Sequence, residues 1–188
     1  MPTETRKHVA GKASARRSVS SRSGALAPGK AEPGLKVYRT DKGVDAYVSE
    51  LARATPMQIV RIEREGVPGI FLKDLSKRME ISSARIFKIL GVPKATAEKK
   101  VASGKMVAGS GGQAAIGMAR LIGIAQRIAA DSTADAAKDF DAAKWLGQWI
   151  ERPQPSLGGL RPADLLGTPT GLEVVARLLG SIESGAYQ

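Results

Sequence analysis

The 188-residue sequence predicts an all-α protein, on three observations. Apolar residues recur at helical spacing almost throughout the body, and few stretches alternate as strands do. The breaks between these runs carry helix start and stop residues, such as Thr55-Pro56, Gly91-Val92-Pro93 and Thr168-Pro169. Aromatic residues make up only 4% of a chain rich in Ala and Gly, which favours helices over a strand-built core.

The helices can be placed in order. Val44, Tyr47, Val48 and Leu51 fall at i, i+3, i+4 and i+7, predicting a helix over 42–53. Thr55 is placed to cap the next helix, with Pro56 at its first position and Ile59 and Ile62 on its apolar face to about Glu65. Gly66-Val67-Pro68-Gly69 reads as a break. Phe71, Leu72, Leu75 and Met79 mark a third helix. Ser82 or Ser83 caps a fourth that contains Ile86, Phe87, Ile89 and Leu90, and Lys94 to Ala102 forms a short cationic fifth. Gly109-Ser110-Gly111-Gly112 is expected to interrupt the chain before a long helix from Gln113 to Ala130, which ends at Asp131-Ser132-Thr133. Residues 134–150 are amphipathic, and Arg152-Pro153-Gln154-Pro155 stops them. Pro162 to Leu166 suits a turn or two of helix. Thr168 to Gly171 then cap a last helix from Leu172 to about Ile182, on which Leu172, Val175, Ala176, Leu179 and Ile182 share one side.

Composition excludes several kinds of chemistry. There is no Cys, and the one His stands at position 8, so disulfide scaffolds, thiolate nucleophiles, His-rich zinc sites and Ser-His-Asp catalysis are ruled out. No run of about 18 apolar residues is present to span a membrane. The net charge is +11 and is unevenly spread: +7 over residues 1–42, +6 over 43–138 and −2 over 139–188. A basic excess of this kind suits a polyanion such as nucleic acid, and the asymmetry implies more than one partner surface. The organisation expected is a basic, disordered tail over 1–42, a helical DNA-binding-like domain over 43–133 and a C-terminal domain over 134–188. The tail suits either an arm on DNA phosphates or a solubilising extension. Its Ser- and Arg-rich composition also resembles a transit peptide, against which Pro28, Pro33 and several Gly argue.

Ser83–Leu90 and Lys94–Ala102 have the layout of a helix-turn-helix, with Gly91 in the turn and Leu90 and Val92 flanking it. Lys94, Thr96, Lys99 and Lys100 could reach phosphates or base edges from the second helix, while Arg85 and Lys88 could clamp the backbone from the first. Phe87 stands four residues before the turn Gly, where a small residue usually allows close helix approach. The same pattern also describes an ordinary α-hairpin with a solvated basic face.

Three other patterns look like chemistry. Gly24 to Lys30 has phosphate-loop spacing up to its Lys, but Ala31 follows where a magnesium-binding hydroxyl would stand. Gly109-Ser110-Gly111 with Ala114 fits a relaxed dinucleotide fingerprint without a βαβ unit. Asp131, Asp135, Asp139 and Asp141 match no metal loop and suit helix ends. No catalytic constellation, metal site or cofactor is expected, and the chain is not read as an enzyme.

The C-terminal segment holds the most distinctive pattern. Ala143-Lys144-Trp145-Leu146 is followed by Leu157-Gly158-Gly159-Leu160-Arg161-Pro162, then Asp164-Leu165-Leu166-Gly167-Thr168 and Gly171, then Val174-Val175. Leu178-Leu179-Gly180-Ser181-Ile182-Glu183-Ser184-Gly185-Ala186-Tyr187 closes it. This resembles the toxin-binding domain of the Xre/MbcA/ParS family of antitoxins. Leu90-Gly91-Val92 and Thr96 resemble the family's Xre-like helix-turn-helix turn more loosely, with Lys99-Lys100 near the place of its Arg pair; residues 1–42 have no counterpart in it.

The resemblance implies a bacterial type II toxin–antitoxin system whose partner is a RES-domain toxin that degrades NAD⁺. The antitoxin's C-terminal part would cover the toxin's active-site entrance, and its helix-turn-helix would bind operator DNA as an autorepressor. It also implies a cytoplasmic protein and a homodimer within a larger toxin–antitoxin complex, with NAD⁺ the toxin's substrate and not a ligand of this chain. The toxin-facing candidates are Trp145, Arg177, Ser184, Gly185, Tyr187 and Gln188. Trp145 and Trp149, at i and i+4, suit either core or interface anchors. The terminal Tyr187 suits either a plug for the toxin pocket or a frayed end. A free-standing helix-turn-helix regulator with a C-terminal dimerisation or sensing domain is the alternative reading, and a small enzyme built on the glycine loop ranks below both.

Overall fold

The computed structural model describes residues 37–131 and 140–183, so the expectations for residues 1–36, for the chain between 132 and 139 and for Ser184, Gly185, Tyr187 and Gln188 lie outside it. The all-α expectation holds. The helices are α1 (Gly43–Ala52), α2 (Pro56–Glu65), α3 (Gly69–Arg78), α4 (Ser83–Ile89), α5 (Lys94–Ala102), α6 (Gly109–Asp131), α7 (Ala142–Trp149) and α8 (Pro169–Glu183). Turns of 3-10 helix at Pro155–Leu157 and Pro162–Asp164 lie between α7 and α8.

Local chemistry accounts for the helix ends. Thr55 accepts from the Gln58 N–H at 3.3 Å while the Gln58 side chain accepts from the Thr55 N–H at 2.9 Å, a capping box ahead of Pro56. After α4, Gly91 takes φ +66 so that its N–H reaches the Lys88 carbonyl and the Val92 N–H reaches the Phe87 carbonyl, at 3.1 and 2.8 Å. After α3 the same turn is made by Glu80 at φ +54, with the Ile81 N–H on the Ser76 carbonyl at 3.0 Å. A side chain at this position costs about 1 kcal/mol or more. The exposed Glu80–Lys144 pair at 3.0 Å returns less than that. Glu80→Gly is therefore expected to leave stability unchanged or raise it by up to about 1 kcal/mol. A fall of more than about 1 kcal/mol in a thermal melt would show that the ion pair outweighs the backbone strain.

The structure differs from the sequence reading at the glycine-rich segments, and α8 begins at Pro169, three residues before Leu172. Gly109 to Gly112 belong to α6 and do not form a loop. A Cβ on Gly111 would run into the Val92 side chain, and one on Gly112 into the Val107 carbonyl. These glycines let the first turn of α6 sit close against its neighbours. The Gly66–Gly69 break and the segment after α5 also pair as a two-residue antiparallel ladder, β1 (Val67–Pro68) with β2 (Met106–Val107), in the register Val67↔Val107 and Pro68↔Met106.

α6 is the axis of the fold. It buries Ala114, Ala115, Ile116, Met118, Ala119, Leu121, Ile122 and Ala125, and α1, α7 and α8 pack on it. Leu146, Ile150, Leu166, Val175 and Leu179 join Phe71, Leu72, Ile86 and Leu90 in a single core, so residues on both sides of the expected 133/134 boundary share their buried surface. The folded part also begins earlier than residue 43. Tyr38 is 5% exposed, donates to Asp74 Oδ2 at 2.8 Å and packs against Tyr47 and Phe71. Burial first, then the Asp74 carboxylate, pushes its phenol well above the ordinary value.

Candidate functional site

α4 and α5 are joined by a tight turn at Gly91. Ser82 caps α4 through the Arg85 N–H at 3.3 Å, and Ile86, Phe87 and Ile89 are buried beneath it. Leu90 and Val92 enter the core on either side of Gly91. α5 buries only Ala97. α3 meets it backbone to backbone at Gly69, where a Cβ would lie 2.6 Å from the Lys100 carbonyl carbon.

The six candidate DNA contacts divide into two groups. Lys88, Lys94, Thr96 and Lys99 are exposed, with Lys94 3.8 Å from Glu98 on its own helix. Lys100 is half-buried and donates its Nζ hydrogen to the Met106 carbonyl, tying α5 to β2. Arg85 is engaged as well. Its Nε and Nη2 reach the two Glu151 oxygens at 2.7 and 2.9 Å, and Asp164 lies 3.8 Å away. Arg161 completes the network with two 3.0 Å bonds to Asp164, which hold that carboxyl below its usual range. The network joins α4 to the turns after α7. Sequence spacing gives no sign of the Arg85–Glu151 pair, because the two residues are 66 positions apart.

In the C-terminal segment, Asp141 caps α7 through the Ala143 and Lys144 N–H groups at 3.1 and 3.0 Å. The same carboxylate takes two short bonds from Arg78 Nη1, while Arg78 Nε holds Asp45 at 2.8 Å, so α1, α3 and α7 meet at one guanidinium. Gly147 lets α7 reach the Met79 backbone. Trp149 is 7% exposed and in the core. Trp145 is half-buried, stacked on Trp149 with ring centroids 5.9 Å apart and tilted against the exposed Phe140 at 5.7 Å. The Leu157-Gly158-Gly159 sequence closes a tight loop, with the Gln154 N–H on the Leu160 carbonyl and the Gly159 N–H on the Gln154 carbonyl, both at 3.0 Å. That loop leaves Leu160 half exposed at 53%. Thr168 caps α8 through the Gly171 N–H at 3.1 Å, and a Cβ on Gly171 would strike the Leu165 carbonyl. α8 then buries Val175 and Leu179 and leaves Arg177 exposed, 3.8 Å from Glu173.

The described residues thus present exposed cations on α4–α5 and, in the C-terminal segment, the exposed Phe140 beside Trp145 and the exposed Leu160. Among them no group of acidic or His side chains could hold a metal ion, and no helix is long and apolar enough to cross a membrane.

Residues 136–185 match the family described as the antitoxin Xre/MbcA/ParS C-terminal toxin-binding domain. An all-helical chain that carries this segment is an antitoxin whose C-terminal part binds a toxin. The chain is 33% identical over 137 residues to the Prs ADP-ribosylating antitoxin of Sphingobium sp. (strain YBL2), across 73% of this chain and 85% of that relative. It belongs to the Xre/MbcA/ParS antitoxin family.

Proposed function

We propose that this antitoxin neutralises a cognate RES-domain toxin that consumes NAD⁺, by covering the entrance to its active site, and that α4–α5 binds operator DNA and represses the operon. It does so as a homodimer within a larger toxin–antitoxin complex in the cytoplasm. The toxin-binding match over 136–185 carries the first part of this reading. The relative's name associates that protein with ADP-ribosylation, and ADP-ribosyl transfer, like hydrolysis, consumes NAD⁺. In both reactions the bond between nicotinamide and ribose breaks, with the ADP-ribosyl group passing to water in one case and to a protein nucleophile in the other. This chain's part is steric: Trp145 with Phe140 supplies an apolar contact, Arg177 a charged one, and Ser184, Gly185, Tyr187 and Gln188 enter the toxin's cleft.

Deleting residues 185–188 tests the steric role. The truncated antitoxin is expected to fold normally and to lose growth rescue when co-expressed with the toxin encoded beside it. Full rescue would remove the terminus from the mechanism.

The exposed α5 cations support the DNA-binding part. Lys94→Ala with Lys99→Ala is expected to weaken operator binding and reduce the slope of log K against log salt by up to about two, with neutralisation intact. Lys100 is left unchanged because it holds Met106. An unchanged slope, measured by fluorescence anisotropy between low and physiological salt, would remove α5 from the DNA interface.

A further inference from the structure

A trough crosses the face of the molecule formed by α1, α2, α6 and the start of α8. One part, about 470 Å³, lies between the end of α1, α2 and α6, and a second, about 280 Å³, lies between α6, Gly167–Pro169 and α8. Glu63, Arg120 and Ile124 line both parts, so the two are continuous. The floor is apolar, with Leu51, Ile59 and Ile124 in the first part and Leu121, Leu172 and Ala176 in the second. α2 adds to this surface, because Ile62 is its one buried side chain while Val60 at 38% and Met57 at 71% face solvent.

Arg120 and Arg127 stand on α6 along this trough, both exposed, and neither has a hydrogen bond or ion pair among the described residues. Arg78, Arg85 and Arg161, by contrast, are held by carboxylates: Arg78 by Asp45 and Asp141, Arg85 by Glu151, Arg161 by Asp164. Arg120 and Arg127 are seven residues, or two turns, apart, which places them about 10 Å apart along the helix. With one carboxylate, Glu63, against two guanidinium groups, the trough keeps a net positive lining over its apolar floor, which suits a protein segment with apolar anchors and carboxylates two helical turns apart.

The trough's α8 wall, from Gly167 to Ala176, lies inside the toxin-binding segment 136–185. We infer that the toxin's footprint extends from this segment along the trough onto α6 and α2, where an acidic, apolar-anchored segment of the toxin pairs with Arg120 and Arg127. The inference rests on the proposed pairing of this antitoxin with the toxin encoded beside it. It assigns a second contact region, formed by elements outside the C-terminal segment and separate from the plug at the terminus.

The test uses the full-length antitoxin and that toxin, with binding followed by calorimetry and neutralisation by growth rescue. Arg120→Glu with Arg127→Glu is expected to weaken the complex at least tenfold while the helical signal and melting temperature stay at wild-type values, both side chains being exposed. Arg120→Lys with Arg127→Lys, which keeps the charge, is expected to retain most of the affinity. Equal toxin affinity for the wild type and a folded Glu variant would overturn the footprint and leave the toxin pairing standing. A wild-type chain that does not bind the toxin would overturn the pairing and the footprint together. If the Glu variant alters self-association and not toxin affinity, the trough is an interface between copies of this chain and the inference is wrong.

Discussion

Leu179→Asp is expected to abolish cooperative unfolding and toxin neutralisation together. Leu179 is fully buried on α8, in the core that also holds Val175, Leu146 and Ile150. Removing its aliphatic side chain costs about 2–5 kcal/mol, as large-to-small core changes do. A carboxylate left there without a partner adds a desolvation cost of at least about 1–3 kcal/mol. The total reaches the range of a domain's whole stability, about 5–15 kcal/mol. Circular dichroism with a thermal melt, run beside growth rescue, checks this. A cooperative melt within a few degrees of wild type would contradict the burial of Leu179. A folded but inactive variant would place Leu179 at the toxin interface.

Phe71→Ala should cost about 3–5 kcal/mol. Phe71 is fully buried on α3, with ring centroids 4.7 Å from Tyr38 and 5.3 Å from Tyr47. Truncation empties the space on which both tyrosines pack, and so frees the Val37–Lys42 segment that Tyr38 pins. The melting temperature is expected to fall by roughly 10 °C or more. The tyrosine signal in near-ultraviolet dichroism should weaken in the fraction that remains folded. A loss below about 1 kcal/mol would mean that the three rings do not form one packed unit.

Much of this fold is legible because helices announce themselves locally. The i, i+3, i+4, i+7 spacing of Val44, Tyr47, Val48 and Leu51 matches the buried face of α1. Thr55, Ser82 and Thr168 cap the helices they precede, as hydroxyl caps do. The Gly109–Gly112 stretch misleads because Gly serves two ends. In a loop it supplies conformational freedom, and in a helix it supplies the absence of a side chain where another backbone must come close. Only the positions of Val92 and Val107 decide between them. Tyr38 is illegible for a related reason, since no helical period includes it and its partners Tyr47, Phe71 and Asp74 lie in elements further along the chain.

The cationic candidates show the same limit. Charge and turn spacing bring out Arg85, Lys88, Lys94, Thr96, Lys99 and Lys100 alike, because each is a plausible donor near Gly91. The internal engagement of Arg85 and Lys100 depends on acceptors at Glu151 and Met106, one of them in a distant part of the chain. At the C-terminal end, Trp145 and Trp149 share one helix face by spacing, yet Trp149 faces the core while Trp145 is half-buried beside the exposed Phe140. Which of two aromatics at i and i+4 goes inside is set by what lies across from them in the fold, and spacing along the helix does not carry that information.

The core shared across 133/134 also bears on how the protein is lost in a cell. α8 rests on α6, and α6 on α1 and α7, so proteolysis that opens any of these elements withdraws support from the toxin-binding segment at the same time. The lifetime of the folded toxin-binding segment is thereby tied to the lifetime of the whole folded body.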